Sequence, residues 1–98
     1  MGEICLRTVV VASRRQVSCD LLDEVALLHL DSGVYYGLDP VGGRVWHLIR
    51  EPARVADLRD RLLAEYEVEP GRCESDLLAL LGRLAAEGLV EVKSEDAL

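Results

Sequence analysis

Gly33-Val34-Tyr35-Tyr36-Gly37-Leu38-Asp39-Pro40-Val41-Gly42 is the stretch on which the fold turns, because the spacing of its apolar residues changes part-way through. Val34, Tyr36 and Leu38 alternate with Tyr35 and Gly37, the two-residue period of a strand, which puts Tyr35 and Gly37 on the opposite face. Asp39-Pro40 then supplies an N-cap carboxylate and the residue best suited to a first helical turn. Beyond it Val41, Val45, Leu48 and Ile49 fall at i, i+4, i+7 and i+8, one apolar stripe of a helix. A strand therefore hands over directly to a helix, and Glu51-Pro52 closes that helix.

Upstream of this stretch the chain reads as β. Residues 25–30 (VALLHL) and 34–38 flank Asp31-Ser32-Gly33, a short Gly-ended connection that predicts a hairpin. Residues 4–12 (ICLRTVVVA) are rich in β-branched side chains and predict an earlier strand, with residues 13–23 an irregular polar loop holding a short extended piece near Val17. Downstream the chain reads as helix. Val55, Leu58, Leu62 and Tyr66 share one side of a helix over 55–66, and Pro70-Gly71 separates it from a last helix over 72–87.

In that last helix Leu77, Leu81 and Leu84 form the deepest stripe, while Cys73, Asp76, Leu80 and Arg83 lie on an adjoining one. Gly88 is the natural stop, and residues 89–92 can add a short terminal strand. Trp46 reads as an amphipathic cover residue and His47 as a solvated one. The expectation is an α+β domain over residues 1–92, winged helix-turn-helix-like, with an N-terminal three-stranded antiparallel sheet followed by three helices; residues 93–98 read as a polar tail.

Charge and spacing exclude several function classes. With 18 acids against 11 bases the chain carries a net charge of −7, which repels phosphate backbones unless bases cluster, and Arg14-Arg15 is the only adjacent basic pair. The last helix is itself net acidic, with Arg72 and Arg83 against Glu74, Asp76 and Glu87, so a DNA-binding winged helix is disfavoured. Apolar runs are far shorter than the ~20 residues of a membrane span. The N-terminus has its acid before its apolar run and its bases after it, the reverse of a secretory signal, so the chain reads as cytoplasmic.

Catalytic and metal chemistry find no purchase either. Cys5, Cys19 and Cys73 are widely spaced, with no CxxC among them, and His29 and His47 form no HExxH. No nucleophile has a base at a recognisable spacing, so neither an enzyme, a metal site nor a cofactor is expected.

The segment 33–42 quoted above, followed by Val45-Trp46 and Leu48-Ile49, resembles the strand-to-helix signature of the PqqD-like superfamily. Val55, Leu58, Leu62 and Tyr66-Glu67-Val68, then Asp76-Leu77, Leu80-Leu81, Leu84 and Gly88-Leu89-Val90, are similar to the rest of that pattern, so the resemblance covers roughly residues 4–92. Each motif alone is loose, and their ordered combination is the specific signal. The resemblance implies a precursor-peptide recognition element for ribosomally made, modified peptides. It is most like the stand-alone recognition half of a split B protein in lasso-peptide pathways. Its implied partners are a precursor peptide leader, a separate cysteine protease that removes the leader, and a macrocyclase. A peptide chaperone of pyrroloquinoline quinone biosynthesis is the nearer alternative within the family.

On these residues the implied mechanism is β-addition. The strand 34–38 pairs on one side with 25–30 and offers its other edge to an extended peptide, while the last helix supplies pockets for alternate side chains. The implied leader-binding residues are Val34, Tyr35, Tyr36, Gly37 and Leu38 on the strand, with Cys73, Asp76, Leu77, Leu80, Arg83 and Leu84 on the helix. By spacing alone, Tyr36, Leu38, Leu77 and Leu84 equally suit the core, and Asp76 equally suits an ion pair with Arg72 or Arg83.

Overall fold

The computed structural model describes residues 4–14, 16–21 and 24–95. Strand β1 (Thr8–Ala12) is followed by β2 (Gln16–Leu21), β3 (Glu24–His29) and β4 (Tyr35–Leu38). Helix α1 (Pro40–Leu48), the two-residue strand β5 (Ala53–Arg54), α2 (Val55–Glu65), α3 (Pro70–Ala86) and β6 (Val90–Glu95) complete the chain. The strands form two three-stranded antiparallel sheets, β2-β3-β4 and β5-β1-β6. This is the expected α+β architecture, an N-terminal antiparallel sheet followed by three helices, and the winged-helix description is compatible with it.

Four local expectations need correction. Residues 16–21 are a full strand rather than part of a loop: each pairs with β3, from Gln16 opposite His29 to Leu21 opposite Glu24. The first strand starts at Thr8, because residues 5–8 turn. Thr8 N–H donates to the Cys5 carbonyl at 3.0 Å, and the Cys5 N–H donates to Thr8 Oγ1 at 2.9 Å. The last strand reaches Glu95, with Ser94 and Glu95 paired to Val9 and Thr8 past a register shift at Lys93; residues 96–98 lie outside the described residues. Trp46 is not a cover residue but core, only 1% exposed, since α1 is packed against β3, β4 and α2 together.

Local chemistry sets the joints that position the helices. Gly33 (φ 72°) makes the hairpin turn, with its N–H donating to the His29 carbonyl at 2.8 Å. Asp39 caps α1 by accepting the Gly42 N–H on Oδ1 at 2.7 Å, directly after β4 ends. Gly43 then lets α1 lie close on β3: a β-carbon there would stand 2.8 Å from Val25 Cγ2. Gly88 (φ 78°) ends α3 in the left-handed conformation and returns the chain to β6. Leu27, Ile49, Val55, Leu81 and Leu89, all fully buried, hold the sheets and the three helices on one core.

Candidate functional site: an open strand edge beside an apolar groove

Among the described residues strand β4 is an edge, with β3 on one side and no strand on the other. The register decides which of its backbone groups are free. The His29 N–H donates to the Val34 carbonyl at 3.1 Å, so 29/34 is a hydrogen-bonded pair of the antiparallel ladder. Hydrogen-bonded pairs recur every second residue, which makes Leu27/Tyr36 and Val25/Leu38 the next two. The N–H and C=O of Tyr35 and Gly37 therefore point away from β3, toward the open edge. Side chains alternate in the same register: Leu38 is buried and Tyr36 packs on the core, while Tyr35 is 71% exposed.

A groove of about 580 Å³ runs beside this edge. One wall is the end of β4 and the start of α1, with Gly37, Leu38, Asp39, Val41, Gly42 and Val45; the other is α3, with Cys73, Asp76, Leu77, Ala79, Leu80 and Arg83. Leu62, Tyr66 and Val68, from α2 and the segment after it, complete the lining. Val41 and Val68 present 40% and 37% of their surface to solvent, which is apolar area left uncovered on an otherwise strongly charged chain. Polar groups sit at the ends of this lining. The Asp76 carboxylate is 3.7 Å from Arg72, and Arg83 is exposed. Burial pushes the Cys73 thiol above its ordinary range, with the Asp76 charge adding to it, so this cysteine behaves as an apolar wall.

A polar bond outside the groove lining joins the same two elements. The Tyr36 hydroxyl donates to Glu87 Oε1 at 2.6 Å, tying β4 to the C-cap of α3. That bond, then burial, raises the Tyr36 phenol above the usual tyrosine value.

Residues 24–90, the span that carries β3 through the start of β6, match the family described as coenzyme PQQ synthesis protein D (PqqD). The chain belongs to the PqqD family. Among solved structures, this PqqD-family chain is similar to one described as TbiB1 in complex with the TbiA(beta) leader peptide. That match has 41% identity and a TM-score of 0.78, covering 87% of this chain and 99% of the other. A second structure, described as lasso peptide synthetase B1 complexed with the leader peptide, shares the fold at 24% identity and TM-score 0.74, covering 84% of this chain and 96% of the other. No curated protein matches it in sequence.

In this PqqD-family chain the structure brings together Gly37, Leu38, Cys73, Asp76, Leu77, Leu80 and Arg83 as groove lining. It places Tyr35 at the free edge and turns Tyr36 to Glu87, while Val34 stands 46% exposed just before β4. Leu84 is 2% exposed in the core, on the same inner stripe as Leu77 and Leu81, and is not among the groove-lining residues. Val41, Tyr66 and Val68 went unnoticed in the sequence as groove lining. Their one signal is Val68, an isolated apolar residue between Glu67 and Glu69. Among the described residues no cluster of three or more His, Cys, Asp or Glu is placed to hold a metal, and no helix is long and apolar enough to cross a membrane.

Proposed function

We propose that this chain binds the leader segment of a ribosomally made precursor peptide, of the lasso-peptide kind, by strand addition to β4. It then presents that peptide to a leader-removing cysteine protease and to a macrocyclase, and performs no catalysis itself. The observation that carries this reading is the juxtaposition of the free Tyr35 and Gly37 backbone groups with an apolar groove on α3. Unpaired N–H and C=O groups give an extended peptide sequence-independent affinity, and pockets for alternate side chains give selectivity. The similarity to a 41% identical protein in complex with a leader peptide supports the choice of ligand.

The test is fluorescence anisotropy with the labelled TbiA(beta) leader peptide and, separately, a labelled DNA duplex at physiological salt. The expected outcome is leader binding at roughly micromolar or tighter affinity, about −8 kcal/mol, with no comparable binding to the duplex. Equal binding to both ligands would overturn the reading.

A further inference from the structure

Resting on the leader-binding reading, we propose that Arg83 recognises a carboxylate side chain of the bound peptide, and that the Tyr36–Glu87 hydrogen bond is what leaves Arg83 free to do so. The arginines of the three helices are otherwise occupied. Arg44 meets Glu65 at 2.9 Å, and Arg61 approaches the same carboxylate at 3.6 Å. Arg59 meets Glu74 at 2.8 Å and Asp60 at 3.1 Å, and Arg72 stands 3.7 Å from Asp76. Arg83 has no ion pair among the described residues, in a chain whose acids outnumber its bases.

Helix geometry identifies what would pair with it. Side chains four apart on a helix are neighbours, and the residue four beyond Arg83 is Glu87. Glu87 is turned instead to Tyr36, from which it accepts at 2.6 Å. The residue four before Arg83 is Ala79, part of the groove wall. The guanidinium is thus left on the groove with no acid of its own, beside Leu80.

A peptide strand laid along β4 turns alternate side chains toward α3, spaced about 6.7 Å apart. Leu80 and Arg83 are about 4.5 Å apart along the helix axis, a difference that the long arginine side chain spans. The peptide class follows: an extended segment with an apolar residue over Leu80 and an aspartate or glutamate two positions from it. The contact orients the peptide as well as selecting it, because a displaced register puts the acid against leucine.

The test is a position scan of the TbiA(beta) leader peptide in which each residue in turn is Glu, Gln or Lys, read by anisotropy against folded variants checked by circular dichroism. One position is expected to favour Glu over Gln by about fivefold, the upper range for a solvent-exposed pair. R83E should invert that preference to Lys at the same position. Y36F, which keeps the ring but frees Glu87, should reduce the Glu preference by about half, and adding E87Q to Y36F should restore it. A purely structural Arg83 predicts uniform weakening with no inversion. If the native protein binds the unaltered peptide yet R83E inverts no position, the inference is overturned and the leader-binding reading stands. If the native protein does not bind that peptide at all, the leader-binding reading falls with it.

Discussion

The β4 register distinguishes two neighbouring positions by a single criterion, the direction of an N–H, and proline tests it. At Tyr36 the N–H belongs to the ladder and pairs with Leu27, a residue with no exposed surface. Tyr36→Pro removes that donor and leaves a buried carbonyl without its strand partner, which costs about 1–3 kcal/mol. Loss of the half-buried ring and its bond to Glu87 adds to this, for a total of about 3–5 kcal/mol against the roughly 5–15 kcal/mol that stabilise a small domain. At Gly37 the N–H faces the open edge, and a β-carbon would meet nothing within 4 Å. Gly37→Pro should therefore leave stability within about 1 kcal/mol of the parent. The same change removes one donor from an incoming strand and sets a ring in its path, so leader affinity should fall about tenfold or more. Thermal melts by circular dichroism and anisotropy titrations with the labelled TbiA(beta) leader peptide measure the two effects. The register argument is refuted if Tyr36→Pro melts like the parent. Strand addition at β4 is refuted if Gly37→Pro folds and binds as the parent does.

Two further outcomes follow from burial and from titration. Leu80 is only partly buried, so Leu80→Asp should fold but lose at least about tenfold in leader affinity, whereas Leu84→Asp, at a core position 2% exposed, should fail to fold; circular dichroism and anisotropy separate them, and equal behaviour of the pair would be the adverse result. Because the Tyr36 phenol lies above its unfolded value, its bond to Glu87 contributes stability that is fully present below about pH 10 and is lost as pH rises through the raised value. Glu87→Gln should lower that ionisation toward the free-tyrosine value, read as tyrosinate absorbance in a Tyr35→Phe, Tyr66→Phe background; an unmoved titration would remove Glu87 as the cause.

Much of the architecture was legible because its boundaries are chemically marked. Asp39-Pro40, Pro70 and Gly88 each sit where a period changes, and the structure starts or stops a helix at all three. Strand β2 was legible only as an extended piece near Val17, because Val17, Cys19 and Leu21 alternate with Gln16, Ser18 and Asp20 in a short stretch whose extent is set by pairing with β3. Strand β5 is two residues long and has no signal of its own. The α3 side of the groove could be read from helical spacing, which sets Cys73, Asp76, Leu80 and Arg83 along one ridge. Its other walls could not, because Val41 comes from the start of α1 and Tyr66 and Val68 from the segment after α2, and only the tertiary fold brings them together. The same spacing sets Leu84 on the inner stripe with Leu77 and Leu81, and it is 2% exposed there.

The pairing of β1 with β6 bears on the order in which the domain assembles. Val10 lies opposite Val92, roughly eighty residues away along the chain, whereas β3 and β4 are joined by a turn of roughly five. Loop closure scales as (3/2)RT ln n, so bringing β6 onto β1 costs about 2.5 kcal/mol more than closing the hairpin. The local hairpin is thus the cheaper nucleus, and the sheet that unites the two ends of the domain forms against a larger entropic barrier. The open β4 edge belongs to the early part of this sequence and the α3 wall to the late part, since α3 is held in place by β6 and α2. During folding, β4 therefore presents unpaired backbone groups before the groove beside it exists. In that interval the strand is a general template for any extended chain, and the charged surface of the finished domain is what later limits such pairing.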